Sequence, residues 1–93
     1  MHYVISYDIG NDRSRTRLSE LLDRYGTRVN YSVYECELSQ RKLDGLIYEI
    51  ERKKLVNDDL DSLRFYYIHE NAVARSFELA NRPDPFERED MTV

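Results

Sequence analysis

The chain has 93 residues, of which 14 are basic and 18 acidic, for a net charge of −4. That length makes one domain with a small core, so apolar surface shared with a second copy is expected. One cysteine and two histidines exclude an internal disulfide framework and a zinc ribbon within one chain, and the total charge disfavours a simple basic clamp on nucleic acid.

Met1 to Ile5 lacks the charged flank and long apolar stretch of a signal peptide. No apolar run is long enough for a membrane span, so a cytoplasmic protein is expected. Tyr3 to Ile9 is rich in β-branched and aromatic residues and ends at Gly10, which predicts a first strand. Period two places Tyr3, Ile5, Tyr7 and Ile9 on one face, with Val4, Ser6 and Asp8 on the other. Asn11 or Asp12 can cap a helix over 12–25, whose apolar stripe is Leu18, Leu21, Leu22 and Tyr25. Glu20 and Arg24 have the spacing of a helical ion pair, and Gly26 supplies a stop.

Thr27 to Leu38 has no Gly or Pro, yet its apolar phase switches between Val29, Tyr31, Val33 and Tyr34, Cys36, Leu38. A flat strand does not tolerate that switch, so a bend, bulge or reversal is expected near 31–33. Ser39 caps a second helix carrying Leu43, Leu46, Ile47 and Ile50, with Lys53 and Lys54 at its C-terminus. Asn57 to Asp59 is a loop, and 63–69 alternates as a strand. The order is β-α-β-β-α-β, the α+β ferredoxin-like arrangement, with both helices on one face of an antiparallel sheet and the other face bare. We divide the chain into a domain over 1–80 and a tail over 81–93. Residues 71–79 read as a short helix or a strand. Residues 87–90 read as solvated acid, and 91–93 as an edge strand or frayed end.

Asp8 closes the first strand beside Gly10. It is either a strand-end cap or a ligand for magnesium or manganese, which use one or two protein carboxylates and complete their shell with water and phosphate. A twofold dimer would bring two Asp8 side chains together. Arg13, Arg15, Arg17 and Arg28 are the phosphate candidates, set against an ordinary solvated helix face. Residues 12–28 carry +2, whereas 69–93 carry −3, so the acidic total conceals a basic first helix. Ser32 has no His–Asp partner in its vicinity, so a nucleophilic triad has no support. Tyr34 could turn its hydroxyl to a phosphate or simply pack. Tyr31 is assigned to core or interface. His2 and His69 are assigned to the surface or an interface, and Cys36 to the core.

Tyr7-Asp8-Ile9, the arginine-bearing first helix, Gly26 and the block Arg28-Val29-Asn30-Tyr31-Ser32-Val33-Tyr34-Glu35 together resemble the CRISPR-associated protein 2 family. The likeness covers about residues 1–69. It implies a ferredoxin-like homodimer that binds nucleic acid, either prespacer DNA or RNA, and bridges dimers of the CRISPR integrase during spacer acquisition. It implies a magnesium-dependent endonuclease with Asp8 as catalytic metal ligand. It also implies that Arg15, Arg17 and Arg28 are its basic residues and Tyr34 its strand aromatic. The alternatives are an adaptor without catalysis and a ribonuclease toxin of the virulence-associated type on the same fold. A small-ligand regulatory module ranks last, because its glycine-rich loop is missing.

Overall fold

The β-rich first segment folds as expected, and its pleat sends Ile5 and Tyr7, with Ile9 just beyond, into the core at 0%, 5% and 3% exposure. The computed structural model describes residues 1–86. Its elements are β1 (His2–Asp8), α1 (Asp12–Leu22), β2 (Gly26–Asn30), β3 (Val33–Glu37), α2 (Gln40–Arg52), β4 (Ser62–Ile68) and α3 (Glu70–Arg75). The four strands lie in the order β2-β3-β1-β4, and each neighbouring pair is antiparallel. This is the ferredoxin-like α+β fold read from the sequence. Leu18, Leu21 and Leu22 of α1 and Leu43, Leu46 and Ile50 of α2 meet the sheet in one apolar cluster.

The phase switch resolves as two strands. β2 and β3 join through Tyr31-Ser32, and their register shifts between Arg28 and Asn30, so a bulge at Val29 absorbs the change of face. Asn11 caps α1, its side chain accepting from the Ser14 N–H at 2.9 Å. The regular helix ends at Leu22; Arg24 and Tyr25 close it with tighter bonds to the carbonyls of Leu21 and Leu22.

Two expectations about this helix end differ from the structure. Gly26 is not a helix stop: it opens β2, where a Cβ would collide with the Cys36 sulfur and the Glu35 carbonyl. Close approach of two backbones, not a left-handed turn, is what demands glycine there. Arg24 does not pair along its own helix. It reaches Glu49 of α2 at 3.7 Å, because the helices pack side by side and bring that carboxylate near.

Ser39 caps α2 as expected, accepting from the Lys42 N–H at 3.2 Å. The short-helix alternative holds for α3, and His69 is its cap, its Nδ1 accepting from the Asn71 N–H at 3.1 Å. His2 is not a surface residue: it is 5% exposed, with Phe86 edge-on to its ring at 5.1 Å. The Phe86 N–H also donates to Glu35 Oε1 at 2.9 Å. The pleat places His2 and Glu35 opposite the core helices, so this part of the tail covers one corner of the sheet face expected to be bare. The acidic stretch 87–90 and the final strand 91–93 lie outside the described residues.

Candidate functional site

Strand β1, internal to the sheet, carries Asp8 at its C-terminal end with its side chain on the face away from Tyr7. The carboxylate is exposed and accepts no hydrogen bond from any described residue. The residue is one of those lining a cavity of about 440 Å³, together with Arg15, Ser19, Arg28, Tyr31 and Ser32. Thus Asp8, Arg15, Arg28 and Ser32 line one cavity. Arg13 and Arg17 do not: both are exposed and neither lines this cavity. Leu18, Leu21 and Leu22 fix the buried stripe of α1, which leaves Arg13 and Arg17 on its outer face and Arg15 at the flank.

Arg15 is tied at both ends of its guanidinium. One nitrogen donates to the Ile9 carbonyl at 3.0 Å, and the other to Asp12. The first bond staples α1 to the end of β1 directly after Asp8. Gly10 is held in turn by Asp61, whose Oδ1 accepts from its N–H at 3.0 Å while Oδ2 accepts from Asn57 at 2.9 Å. These two backbone donors lower the Asp61 pKa.

Arg28 is placed by a network the sequence did not disclose. Its Nε donates to the Tyr34 hydroxyl at 3.2 Å, its Nη2 donates to Ser19 Oγ, and its guanidinium carbon lies 5.7 Å from the Tyr34 ring centre. Tyr34 is fully buried, and its hydroxyl donates to Asp23 Oδ1 at 2.6 Å. The phenol has one proton, and the carboxylate is its strongest acceptor, so Arg28 and Ser19 (3.0 Å away) supply protons to the same oxygen. Tyr34 therefore cannot present its hydroxyl to a phosphate; it orients Arg28 from beneath. Burial, and then the bond to Asp23, raise its pKa against the opposing pull of Ser19 and Arg28. The bond to Tyr34 likewise raises the pKa of Arg28, which stays a fixed cation.

Ser19 and Asp23 were missed in the sequence, although Ser19 stands four residues after Arg15 on the inner flank of α1. Nothing in a lone Tyr on a strand announces a buried hydroxyl with three side-chain partners. Tyr31, expected in core or interface, is 89% exposed at the β2–β3 turn of this chain. Tyr7 secures that turn. Its hydroxyl donates to the Tyr31 carbonyl at 3.3 Å and its N–H to the Ser32 carbonyl at 3.1 Å.

The donor set at the cavity suits a hard cation held loosely. Among the described residues no three His, Cys, Asp or Glu side chains form a chelating group, so Asp8 would be a single ligand per chain. A free, exposed carboxylate with room for water and phosphate around it fits magnesium or manganese, not zinc. No described helix is long and apolar enough to cross a membrane.

A model of the family described as CRISPR associated protein Cas2 matches residues 1–76. The chain belongs to the Cas2 family. It is 48% identical over 64 residues to a protein of Synechocystis sp. named CRISPR-associated endoribonuclease Cas2 3, covering 69% of this chain and 67% of that one. Among solved structures it resembles a hypothetical protein from Thermus thermophilus, with 34% identity, a TM-score of 0.72 and coverage of 91% of this chain and 94% of that one. It also resembles a chain of a partial Cas6-RT-Cas1–Cas2 complex, with 30% identity, a TM-score of 0.65 and coverage of 88% and 93%. The matched Cas2 region contains every residue of the Asp8 cavity named above.

Proposed function

We propose that this Cas2 protein acts as a homodimer that binds the phosphate backbone of nucleic acid, cleaves it with magnesium or manganese, and joins CRISPR integrase dimers during spacer acquisition. The observation that carries the catalytic part is that Asp8, whose carboxylate has no partner among the described residues, lines the same cavity as two anchored arginines. Asp8 of each copy would hold the ion. When bound, such an ion lowers the pKa of a water and neutralises phosphate charge. The rest falls to the chain. Arg28, fixed from below by Tyr34 and Ser19, meets a phosphate oxygen without first losing side-chain freedom. Arg15 holds the β1–α1 connection so that Asp8 keeps its place. Ser32 lines the same cavity.

The names of the curated relatives support nuclease activity on RNA, and the likeness to a chain of a Cas1–Cas2 assembly supports the integrase partner. That second likeness also favours the alternative of an adaptor that grips DNA without cutting it. Assaying wild type and Asp8→Asn on labelled RNA and DNA, with and without magnesium, decides between them. Metal-dependent cleavage lost in Asp8→Asn, with unchanged thermal unfolding, is the expected result. Undiminished cleavage by Asp8→Asn would remove Asp8 from the chemistry. Duplex binding by a wild type that never cleaves would leave the adaptor.

A further inference from the structure

The peptide unit that joins Ile9 to Gly10, one residue beyond Asp8, is gripped at both poles. Its carbonyl accepts from Arg15 Nη1 at 3.0 Å, and its N–H donates to Asp61 Oδ1, also at 3.0 Å. A cation stands at the oxygen and an anion at the hydrogen, which matches the peptide dipole and strengthens both bonds. Asp61 is itself held in place. Its Oδ2 accepts from the Asn57 N–H at 2.9 Å, while the N–H groups of Leu60 and Asp61 donate to the Asn57 carbonyl at 3.2 and 2.9 Å. The loop between α2 and β4 thus closes on itself and delivers the carboxylate already oriented. The register of β1 and β4, which pairs Asp8 with Ser62, brings that loop to the end of β1.

We infer that Asp61 is a positioning residue for Asp8, holding the Ile9–Gly10 peptide by its N–H and so fixing how the Asp8 carboxylate leaves the strand end. This rests on the reading of Asp8 as a metal-binding carboxylate and deepens it. β1 ends at Asp8, so the chain beyond it has left the ladder of the strand. Glycine at position 10 lets the peptide before it rotate at little steric cost. Such a rotation turns the backbone at Ile9 and carries Asp8 with it. Among the described residues Asp8 stands alone as a ligand, with no second carboxylate of its own chain to hold an ion in register. Its placing must therefore come from the backbone behind it. Asp61 does not line the Asp8 cavity, and both its oxygens already accept from backbone N–H groups, so it acts through the peptide and not on a ligand.

The test reads Mn2+ binding from the paramagnetic resonance signal of the free ion, with no nucleic acid present, and cleavage of labelled RNA separately. Asp61→Ala should bind Mn2+ about tenfold more weakly than wild type, and Asp61→Asn, which keeps an oxygen for Gly10, about threefold at most. At saturating Mn2+, Asp61→Ala should lower kcat and leave KM within about twofold, since Arg28 is untouched. Arg15→Met and Asp61→Ala combined should weaken Mn2+ binding by less than the product of their separate factors, because both act on one peptide. Factors that multiply in full would overturn the shared grip. Amide exchange at Gly10 should be slow in wild type. A Gly10 amide that exchanges in wild type as fast as an open chain would overturn the inference whether or not the variants fold. Wild-type Mn2+ affinity in a folded Asp61→Ala would overturn it too, and leave Asp8 as the ligand. Mn2+ affinity unchanged in Asp8→Asn would remove the metal reading and this inference with it.

Discussion

The hydroxyl of Tyr34 donates to the carboxylate of Asp23 at 2.6 Å, at the point where α1 ends against the sheet. A carboxylate at a helix C-terminus is unfavourable by itself, since the helix dipole is negative there. The phenol relieves it and in return becomes a pure acceptor toward Arg28. Tyr34→Phe should therefore do two things. It should cost about 1–2 kcal/mol, from the missing bonds of a buried group. It should also raise the KM for nucleic acid more than it lowers kcat, because Arg28 loses its support while Asp8 is untouched. Denaturant unfolding and steady-state cleavage measure both, and a variant with unchanged KM would show that Arg28 keeps its place without Tyr34.

The arginines should separate by position. Arg28→Ala should flatten the dependence of binding on salt by about one unit for each phosphate that the guanidinium neutralises in wild type. Arg17→Ala, on the outer face of α1, should leave the slope as it is. Equal flattening by both substitutions would place the nucleic acid across that outer face.

Gly26 should tolerate no side chain. Gly26→Ala sets a methyl against Glu35 and Cys36 of β3 and should destabilise the fold by about 1–3 kcal/mol. Gly45, where an added Cβ meets nothing within 4 Å, is the matched control, and Gly45→Ala should stabilise α2. A Gly26→Ala variant as stable as wild type would mean that β2 and β3 can part at no cost.

Stability should fall at alkaline pH. Burial pushes the Cys36 thiol from 9.0 up to about 11 and also raises the Tyr34 phenol. In both groups the unfolded chain ionises first, so between the two pKa values the native state holds more protons. The stability these groups confer is whole below about pH 9 and declines as pH rises toward 11. Urea unfolding at pH 8, 9.5 and 11 tests the slope. Cys36→Ala should make that slope shallower. At pH 7.5 the native thiol should resist alkylating reagents, being neutral and 1% exposed.

Most of the fold was legible because its signals are local. The switch of apolar phase called for a bend, bulge or reversal near 31–33, and the chain bulges at Val29 and reverses at Tyr31-Ser32. Asp8 and Arg28 were legible as strand-borne charges near turns. The division of Arg15 from Arg13 and Arg17 required knowing which stripe of α1 is buried, and Leu18, Leu21 and Leu22 do show it. What could not be read depends on contacts between distant segments. Phe86 buries His2 from the far end of the described chain, and Asp23 captures a hydroxyl that β3 brings beneath α1. Gly26 has the same character, since its constraint comes from β3 and not from the helix it follows.

Tyr7 touches the β2–β3 turn twice, stacks beside Tyr34 and immediately precedes Asp8. One residue thereby couples both walls of the cavity to a single rigid seam. Movement of the β2–β3 turn is thereby tied to movement of the strand end that carries Asp8. Under the function proposed above, an entering strand would meet the turn and the end of β1 as one surface.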